Sequence, residues 1–160
     1  ARKVASLVIM AGHIENPDYV EYNVENDIPS CQEVFAKWPG EIVVTPFELG
    51  LAAKLPASCL KNDFGWTDHH PALDAVMAAR GQYADYPTWD MTAVVYAVEG
   101  CAGYFTLSRP GTITVTDKGC THYQADSRGR HRYMMSDHNQ SALLVKHMCD
   151  LVSRKPKNKK

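Results

Sequence analysis

The pattern of apolar and polar positions in the first third of the chain predicts alternating strands and helices. A nearly all-apolar run over residues 4–10 predicts a strand buried on both faces of a parallel sheet. A second strand is predicted over 41–45, and the helix between them spans about 28–38 with Asp27 as its N-cap. One face of that helix carries Ile28, Cys31, Phe35 and Trp38. A short helix over about 47–54 continues the strand–helix order, which is typical of a parallel sheet flanked by helices.

The pattern changes in the second half of the chain. A helix begins near Pro71 and ends at Gly81, and residues 113–115 and 122–124 flank a turn sequence that predicts a β-hairpin. The last helix is predicted over about 138–153. It begins with a capping box of Asp137 and Gln140 and has a buried stripe of Leu144, Met148, Leu151 and Val152. The predicted fold class is therefore α/β: a mostly parallel open sheet flanked by helices, with an appended β-hairpin and a C-terminal helix.

One acidic residue, Asp90, stands at the start of an apolar run over residues 93–98 that predicts a buried helix. Three functions suit a carboxylate in this position. It can cap the helix, because it accepts free backbone N–H groups and lies at the positive end of the helix dipole. It can also bind a metal or transfer a proton. The residues around Asp90 do not decide among these three functions.

A dense polar segment over residues 20–27 follows the first strand. Ligands of open α/β sheets bind outside the carboxyl ends of the strands, so this segment lies where a site is expected. Glu21 and Asn23 alternate with apolar residues, and an extended backbone would send both side chains to the same side. A carboxylate beside an amide suits the binding of a polyol such as a sugar. A solvated loop is the competing interpretation.

Several short motifs, taken in order, resemble the C-terminal half of the inosine/uridine-preferring nucleoside hydrolases. These are residues 9–12 (IMAG), 21–23 (EYN), 46–50 (PFELG), 89–90 (WD) and 129–133 (GRHRY). The PFELG and GRHRY segments are similar to a divergent bacterial branch of the family. The resemblance covers nearly the whole chain, and the order and spacing of the motifs carry most of its specificity.

The resemblance implies an N-glycosidase that uses a calcium-bound water. Asp90 matches a calcium-ligating aspartate of the family, and Glu21 with Asn23 matches a pair that hydrogen-bonds the ribose. Asn16 matches a further ribose-binding asparagine, although it lies one residue closer to Glu21 than in many members. Trp89 stands where many members place a histidine that protonates the departing base. An indole cannot donate a catalytic proton, so Trp89 is expected either to stack on the base or to pack in the core.

The acid that protonates the leaving group is therefore not assigned. His13, His69 and His70 are candidates, because imidazole ordinarily titrates near pH 6.5. His70 directly precedes Pro71 and suits a helix boundary better than an acid. Glu48 follows the second predicted strand, where either a role in the site or that of a helix first-turn acid is consistent with the sequence.

The acidic cluster with which the family binds calcium near its N-terminus is not found in these 160 residues. Residues 1–153 are therefore interpreted as the C-terminal part of a nucleoside-hydrolase-like domain, and residues 154–160 as a basic disordered tail. A missing N-terminal segment or a second chain is expected to complete the site. Self-association into a homo-oligomer is left open.

Composition limits the classes of partner. A net charge of −1 gives no support for nucleic-acid binding or for a membrane-surface protein, and no apolar stretch reaches the roughly 20 residues of a membrane span. The five cysteines lack metal-ligand spacing and are expected to be buried thiols, with a Cys101–Cys120 disulfide as the alternative.

The sequence thus supports two hypotheses. The first is a hydrolase that cleaves the N-glycosidic bond of nucleosides or related N-ribosides, as part of a longer or two-piece protein. The second is a non-catalytic ligand-binding or scaffold domain of the same fold. Trp89 in place of a histidine favours the second, whereas the presence together of Glu21, Asn23 and Asp90 favours the first.

Overall fold

A mixed β-sheet with helices on both faces forms the structure, a computed structural model that describes residues 3–157. The strands are β1 (Ser6–Met10), β2 (Glu41–Thr45), β3 (Lys54–Leu55), β4 (Tyr86–Pro87), β5 (Thr106–Leu107), β6 (Gly111–Val115), β7 (Thr121–Ala125) and β8 (His131–Met135). The helices are α1 (Tyr22–Asn26), α2 (Ile28–Lys37), α3 (Phe47–Ala52), α4 (Ala57–Asn62), α5 (Pro71–Arg80), α6 (Trp89–Glu99) and α7 (His138–Val152). The predicted α/β fold class is confirmed.

Three parallel strands form one half of the main sheet, whose order is β1-β2-β8-β6-β7. In the register, Val8 lies opposite Val43 of β2, and Val43 lies opposite Arg132 of β8. Strands β6 and β7 are antiparallel, and β5 pairs with β8 beside this path. The sequence did not predict β8, because His131 and Arg132 make its first residues look like part of a loop.

Side chains of β2 alternate between two hydrophobic clusters, one on each face of the sheet. Ile42 and Val44 point into a cluster with Phe35 of α2 and Ile113 of β6. Val43 points the other way, into a cluster formed largely by α3, α4, α6 and α7. Strand β2 is therefore buried on both faces, as an interior strand of a three-layer α/β/α arrangement should be.

Strand β1 differs from its prediction. The sequence predicted a strand buried on both faces, but β1 lies at the edge of the sheet and all five of its residues are only half-buried. An apolar sequence predicts contact on both faces of a strand, but it does not reveal whether a second strand pairs with it.

The local start signals of two helices are confirmed. The Asp27 side chain accepts hydrogen bonds from the hydroxyl and from the backbone N–H of Ser30, and these bonds, the hydroxyl first, lower the pKa of Asp27. Asp137 and Gln140 form the predicted capping box of α7. Leu144 and Met148 are buried as predicted, whereas Leu151 is exposed. Val152 packs against the core as predicted, and Val145 and Cys149, which were not predicted, pack there as well.

Helix α6 is less buried than the sequence predicted. Thr92 and Val95 face the core, but Val94 is 63% exposed and Val98 is 77% exposed. These two valines are four residues apart and share one helix face. Helix α6 packs against β1, β2 and α3, and the face that carries these two valines is turned away from them and is exposed.

Three further predictions concern the hairpin, the tail and the cysteines. Strands β6 and β7 form the predicted hairpin, although β6 also pairs with β8 at Gly111 and is therefore part of the main sheet. Residues 154–157 have neither helix nor strand, and the rest of the predicted disordered tail lies outside the described residues. All five cysteines are free, so the alternative of a Cys101–Cys120 disulfide is wrong. Across the described chain, no helix combines the length and the apolarity needed to cross a bilayer.

Candidate functional site

Two adjacent cavities open at the carboxyl ends of the parallel strands. The first, which we name the Glu21–Asp90 cavity, has a volume of about 260 Å³ and is lined by Met10, Glu21, Tyr22, Asn23, Phe47, Trp89 and Asp90. It brings together four of the five site residues predicted from the sequence, although they come from two segments nearly 70 residues apart. This position agrees with the general location of ligand sites in open α/β sheets.

Glu21 is 3% exposed and caps helix α1. Its Oε2 accepts hydrogen bonds from the backbone N–H of Gly12 at 3.1 Å and of Val24 at 3.4 Å, and its Oε1 accepts one from Asn23 at 3.0 Å. The backbone is extended at Glu21 itself, and the side chain then accepts from the free N–H groups of Asn23 and Val24 and starts a helical turn. Glu21 and Asn23 nevertheless line the same cavity. A carboxylate offers about four acceptor positions, so one remains for a ligand.

Asn23 lies on the exposed side of the cavity. Its Nδ2 is 3.3 Å from the Met10 carbonyl oxygen and 2.9 Å from the Met10 sulfur, which leaves its Oδ1 free for a ligand. Asn16, the other predicted ribose-binding amide, does not line the Glu21–Asp90 cavity. Its Oδ1 accepts a hydrogen bond from the Asp18 backbone N–H in the exposed loop before α1.

Trp89 forms an apolar wall of the cavity. Its ring stacks on Phe47 with centroids 5.4 Å apart, and its Nε1 donates to the Phe47 carbonyl oxygen at 3.0 Å. The backbone of Gly50 lies so close beneath that a Cβ there would collide with Trp89. The single indole N–H is therefore already used within the protein, and Trp89 offers a ligand only its ring.

Asp90 is the second residue of α6, and its side chain is exposed. The N-cap of α6 is Thr88, and no side chain caps the helix. Asp90 forms no hydrogen bond or ion pair with the described residues, so the interpretation of Asp90 as a cap is wrong. Its carboxylate lines the cavity at the positive end of an eleven-residue helix.

A complete metal site is not present in residues 3–157. No three histidine, cysteine, aspartate or glutamate side chains within that range are grouped closely enough to hold a metal ion. Calcium takes six to eight oxygen ligands, whereas the cavity offers the Asp90 carboxylate, one acceptor position of Glu21 and the Asn23 amide oxygen. The cavity residues alone therefore do not fit calcium.

The second cavity, which we name the Glu48 cavity, has a volume of about 300 Å³. It is lined by Ile14, Glu15, Glu48, Leu49, Ala52 and residues 133–136 at the end of β8. Burial, then the neighbouring Tyr123 and the carboxylates of Glu48 and Glu15, raise the pKa of Tyr133, so its phenol stays protonated at neutral pH.

Glu48 bonds to the loop that follows β1. Its Oε1 accepts from the backbone N–H groups of Ile14 and Glu15, both at 3.0 Å, and its Oε2 lies 3.1 Å from His13 Nδ1. The sequence suggested His13 and Glu48 separately but not as a pair, because 35 positions separate them. The sequence did contain one indication of this pair: His13 follows β1 and Glu48 follows β2, and neighbouring parallel strands bring the positions after them together.

A larger cavity of about 530 Å³ lies between α2, β6 and the β7–β8 turn. It reaches His131 at the start of β8, at the opposite end of the parallel strands from the predicted site residues. Burial lowers the pKa of His131, whose Nδ1 accepts from the Ile113 backbone N–H at 2.9 Å. We interpret this imidazole as a neutral structural element, so size alone does not identify the functional cavity.

Comparison with known proteins supports the fold. No family model matches the sequence, and no curated protein matches it. Among solved structures, the chain is similar to a plant nucleoside hydrolase, the PpNRh1 enzyme, with a TM-score of 0.63 at 17% identity. The match covers 90% of this chain and 53% of that enzyme, so the chain spans about half of the enzyme's length. The chain therefore has a nucleoside-hydrolase-like fold.

Proposed function

We propose that the Glu21–Asp90 cavity hydrolyses the N-glycosidic bond of a nucleoside or a related N-riboside. The observation that carries this proposal is the convergence of Asp90, Asn23 and Glu21 beside the half-buried ring of Trp89. A free carboxylate, an amide oxygen and one remaining carboxylate acceptor position suit the hydroxyl groups of a sugar. The fold similarity to a nucleoside hydrolase supports the same class of reaction.

The cavity volume suggests how such a substrate lies. About 260 Å³ is slightly below the roughly 300–1,000 Å³ of typical small-molecule sites. We infer that the cavity holds the ribose, and that the base extends past the edge of Phe47. Glycosidic cleavage develops positive charge on the sugar, and the Asp90 carboxylate stabilises that charge best where water is excluded. Trp89 and Phe47 exclude water from one side.

The proposal includes calcium only if further oxygen ligands join those of the Glu21–Asp90 cavity. Asp90 would be one ligand, and the others would come from a preceding segment or a second chain, because the cavity residues do not complete a calcium site. Native mass spectrometry of the purified protein tests this. A bound second polypeptide supports completion in trans, whereas a folded chain that is alone and does not bind calcium contradicts the calcium-dependent form of the proposal.

The reaction is tested by the release of ribose from inosine. The proposal predicts hydrolysis in excess calcium, its loss on chelation and its recovery when calcium is restored. Hydrolysis that persists after chelation would refute the requirement for calcium but not the N-glycosidase. No hydrolysis by a folded, calcium-loaded protein would refute the proposal.

A non-catalytic ligand-binding domain is the second candidate. The bond from Trp89 Nε1 to the Phe47 carbonyl oxygen favours it, because that bond leaves no proton donor directly before Asp90. This candidate predicts that inosine or ribose binds, with calorimetric heats that saturate, while the inosine is recovered intact.

A further inference from the structure

His13 is held in a rigid loop at the carboxyl end of β1. Its backbone N–H donates to Thr121 Oγ1 at 3.0 Å, and the same hydroxyl donates back to the His13 carbonyl oxygen at 3.1 Å. Gly12 precedes it with φ +73°, and a Cβ on Gly12 would collide with Thr121. The His13 ring lies against Tyr19 at 5.0 Å and stacks on Phe47 at 5.5 Å between centroids. The position of the imidazole is therefore fixed by contacts on several sides.

Two groups compete for His13 Nδ1. The Asn16 backbone N–H lies 3.1 Å away as a donor, and Glu48 Oε2 lies 3.1 Å away as an acceptor. One nitrogen cannot satisfy both, because it either carries a proton or presents a lone pair. In the part of the chain that the structure describes, Glu48 Oε2 is the one buried side-chain polar atom without a hydrogen-bond partner. The exposed N–H of Asn16 can turn to water instead.

The less costly arrangement therefore places a proton on Nδ1, from which it is donated to Glu48 Oε2. His13 Nε2 then has no hydrogen bond within residues 3–157. This nitrogen is not fully buried, so it is accessible to solvent. A carboxylate that orients one imidazole nitrogen while the other is open is the arrangement of a histidine acid or base. Glu48 and Tyr19 are the titratable side chains in contact with the ring.

We propose that His13 is the acid that protonates the departing base and that Glu48 is its positioning residue; this rests on the proposed function. His13 contacts Phe47, which also lines the ribose cavity. As the bond between C1′ and the base nitrogen breaks, its electron pair stays with the base, and Nε2 of the imidazolium gives that nitrogen its proton. Water adds to C1′ and releases a proton to solvent, and solvent reprotonates His13. The net reaction is riboside plus water to ribose plus free base.

The test compares two ribosides that differ in their need for an acid. Inosine carries a purine that must be protonated to leave, whereas 4-nitrophenyl riboside carries a phenolate that leaves unaided. We expect His13→Gln to slow inosine hydrolysis by about 10²–10⁴-fold and to change nitrophenyl riboside hydrolysis by only a few fold. The alkaline limb of the kcat/KM pH profile for inosine, where the acid loses its proton, should be lost in the same variant.

The chain provides a matched control in His147, which pairs with Glu99 at 3.0 Å away from both cavities. His147→Gln should leave both rates unchanged. If His13→Gln slows both substrates equally, the proposed function stands and the acid role is overturned. If the wild-type protein hydrolyses neither riboside, the proposed function fails and the acid role fails with it.

The role of Glu48 has a readout that does not depend on activity. In ¹⁵N-labelled protein, the neutral imidazole of His13 should carry its proton on Nδ1, and Glu48→Gln should shift that proton toward Nε2. A wild-type His13 protonated on Nε2 with a bare Nδ1 would overturn the assignment of Glu48 as its positioning residue.

Discussion

Glu21 gives the sharpest test of how the cavity is built, because it both lines the cavity and caps helix α1. We expect Glu21→Gln to destabilise the protein. A glutamine has the same shape, but one of its two terminal atoms is an NH₂ group, which cannot accept a hydrogen bond. Whichever way the amide turns, this NH₂ group points at a backbone N–H that the carboxylate oxygen had bonded. The result is a buried N–H of Gly12, Val24 or Asn23 without an acceptor.

The cost follows from the number of hydrogen bonds lost. Hydrogen bonds to a charged group contribute about 1.5–3 kcal/mol each, and the 3.4 Å bond to Val24 is the weakest of the three. We expect a loss of about 1.5–4 kcal/mol in the free energy of unfolding. For a chain of this length that corresponds to a fall in Tm of roughly 3–15 °C.

Urea unfolding followed by circular dichroism measures this loss. The matched control is Glu25→Gln on the same helix, where the side chain is exposed and the change should stay within about 0.5 kcal/mol. A Glu21→Gln protein as stable as the control would refute the capping role. Glu21 would then be interpreted only as a sugar-binding carboxylate.

Three further predictions concern packing and titration. Gly50→Ala should displace Trp89 and cost about 1–3 kcal/mol in urea unfolding, whereas Gly65→Ala, where a Cβ would meet open space, should not; equal stability of the two variants would contradict the contact. Burial lowers the pKa of His131 in the folded state, so the unfolded chain binds more protons, and stability should fall as pH drops below about 6.5. His131→Gln should flatten that fall, and an unchanged slope would refute this. Burial raises the pKa of the Cys59 thiol, so mass spectrometry should find it unalkylated by iodoacetamide at pH 8 until urea unfolds the protein; rapid labelling of the folded protein would contradict its burial.

Features set by neighbouring residues were predictable from the sequence. The Asp27 cap and the capping box of α7 each need only residues three positions apart, and both were predicted correctly. The convergence of Glu21 and Asp90 was implied by the family resemblance instead. Strand order alone does not give it, because the strand before Asp90 is β4, which pairs antiparallel with β3 outside the main sheet.

Features set by long-range contacts were not predictable. Strand β8 is recognisable only once β2 lies beside it, since its own sequence begins with charged and polar residues. The segment after Val20 alternates like a strand, but the hydrogen bonds from the backbone N–H groups of Asn23 and Val24 to Glu21 start a helical turn there. The His13–Glu48 pair joins the loop after β1 to helix α3 after β2, and only the parallel pairing of those two strands indicates it.

The central claim is that the Glu21–Asp90 cavity cleaves N-glycosidic bonds, and Asp90→Asn tests it most directly. Asp74 provides the control, because it is also an exposed first-turn carboxylate, on α5 away from both cavities. The measurement is ribose release from inosine in excess calcium by the wild type, Asp90→Asn and Asp74→Asn. The account predicts a loss of kcat/KM of at least about 10²-fold for Asp90→Asn and a wild-type rate for Asp74→Asn. Equal rates for the two variants would contradict it.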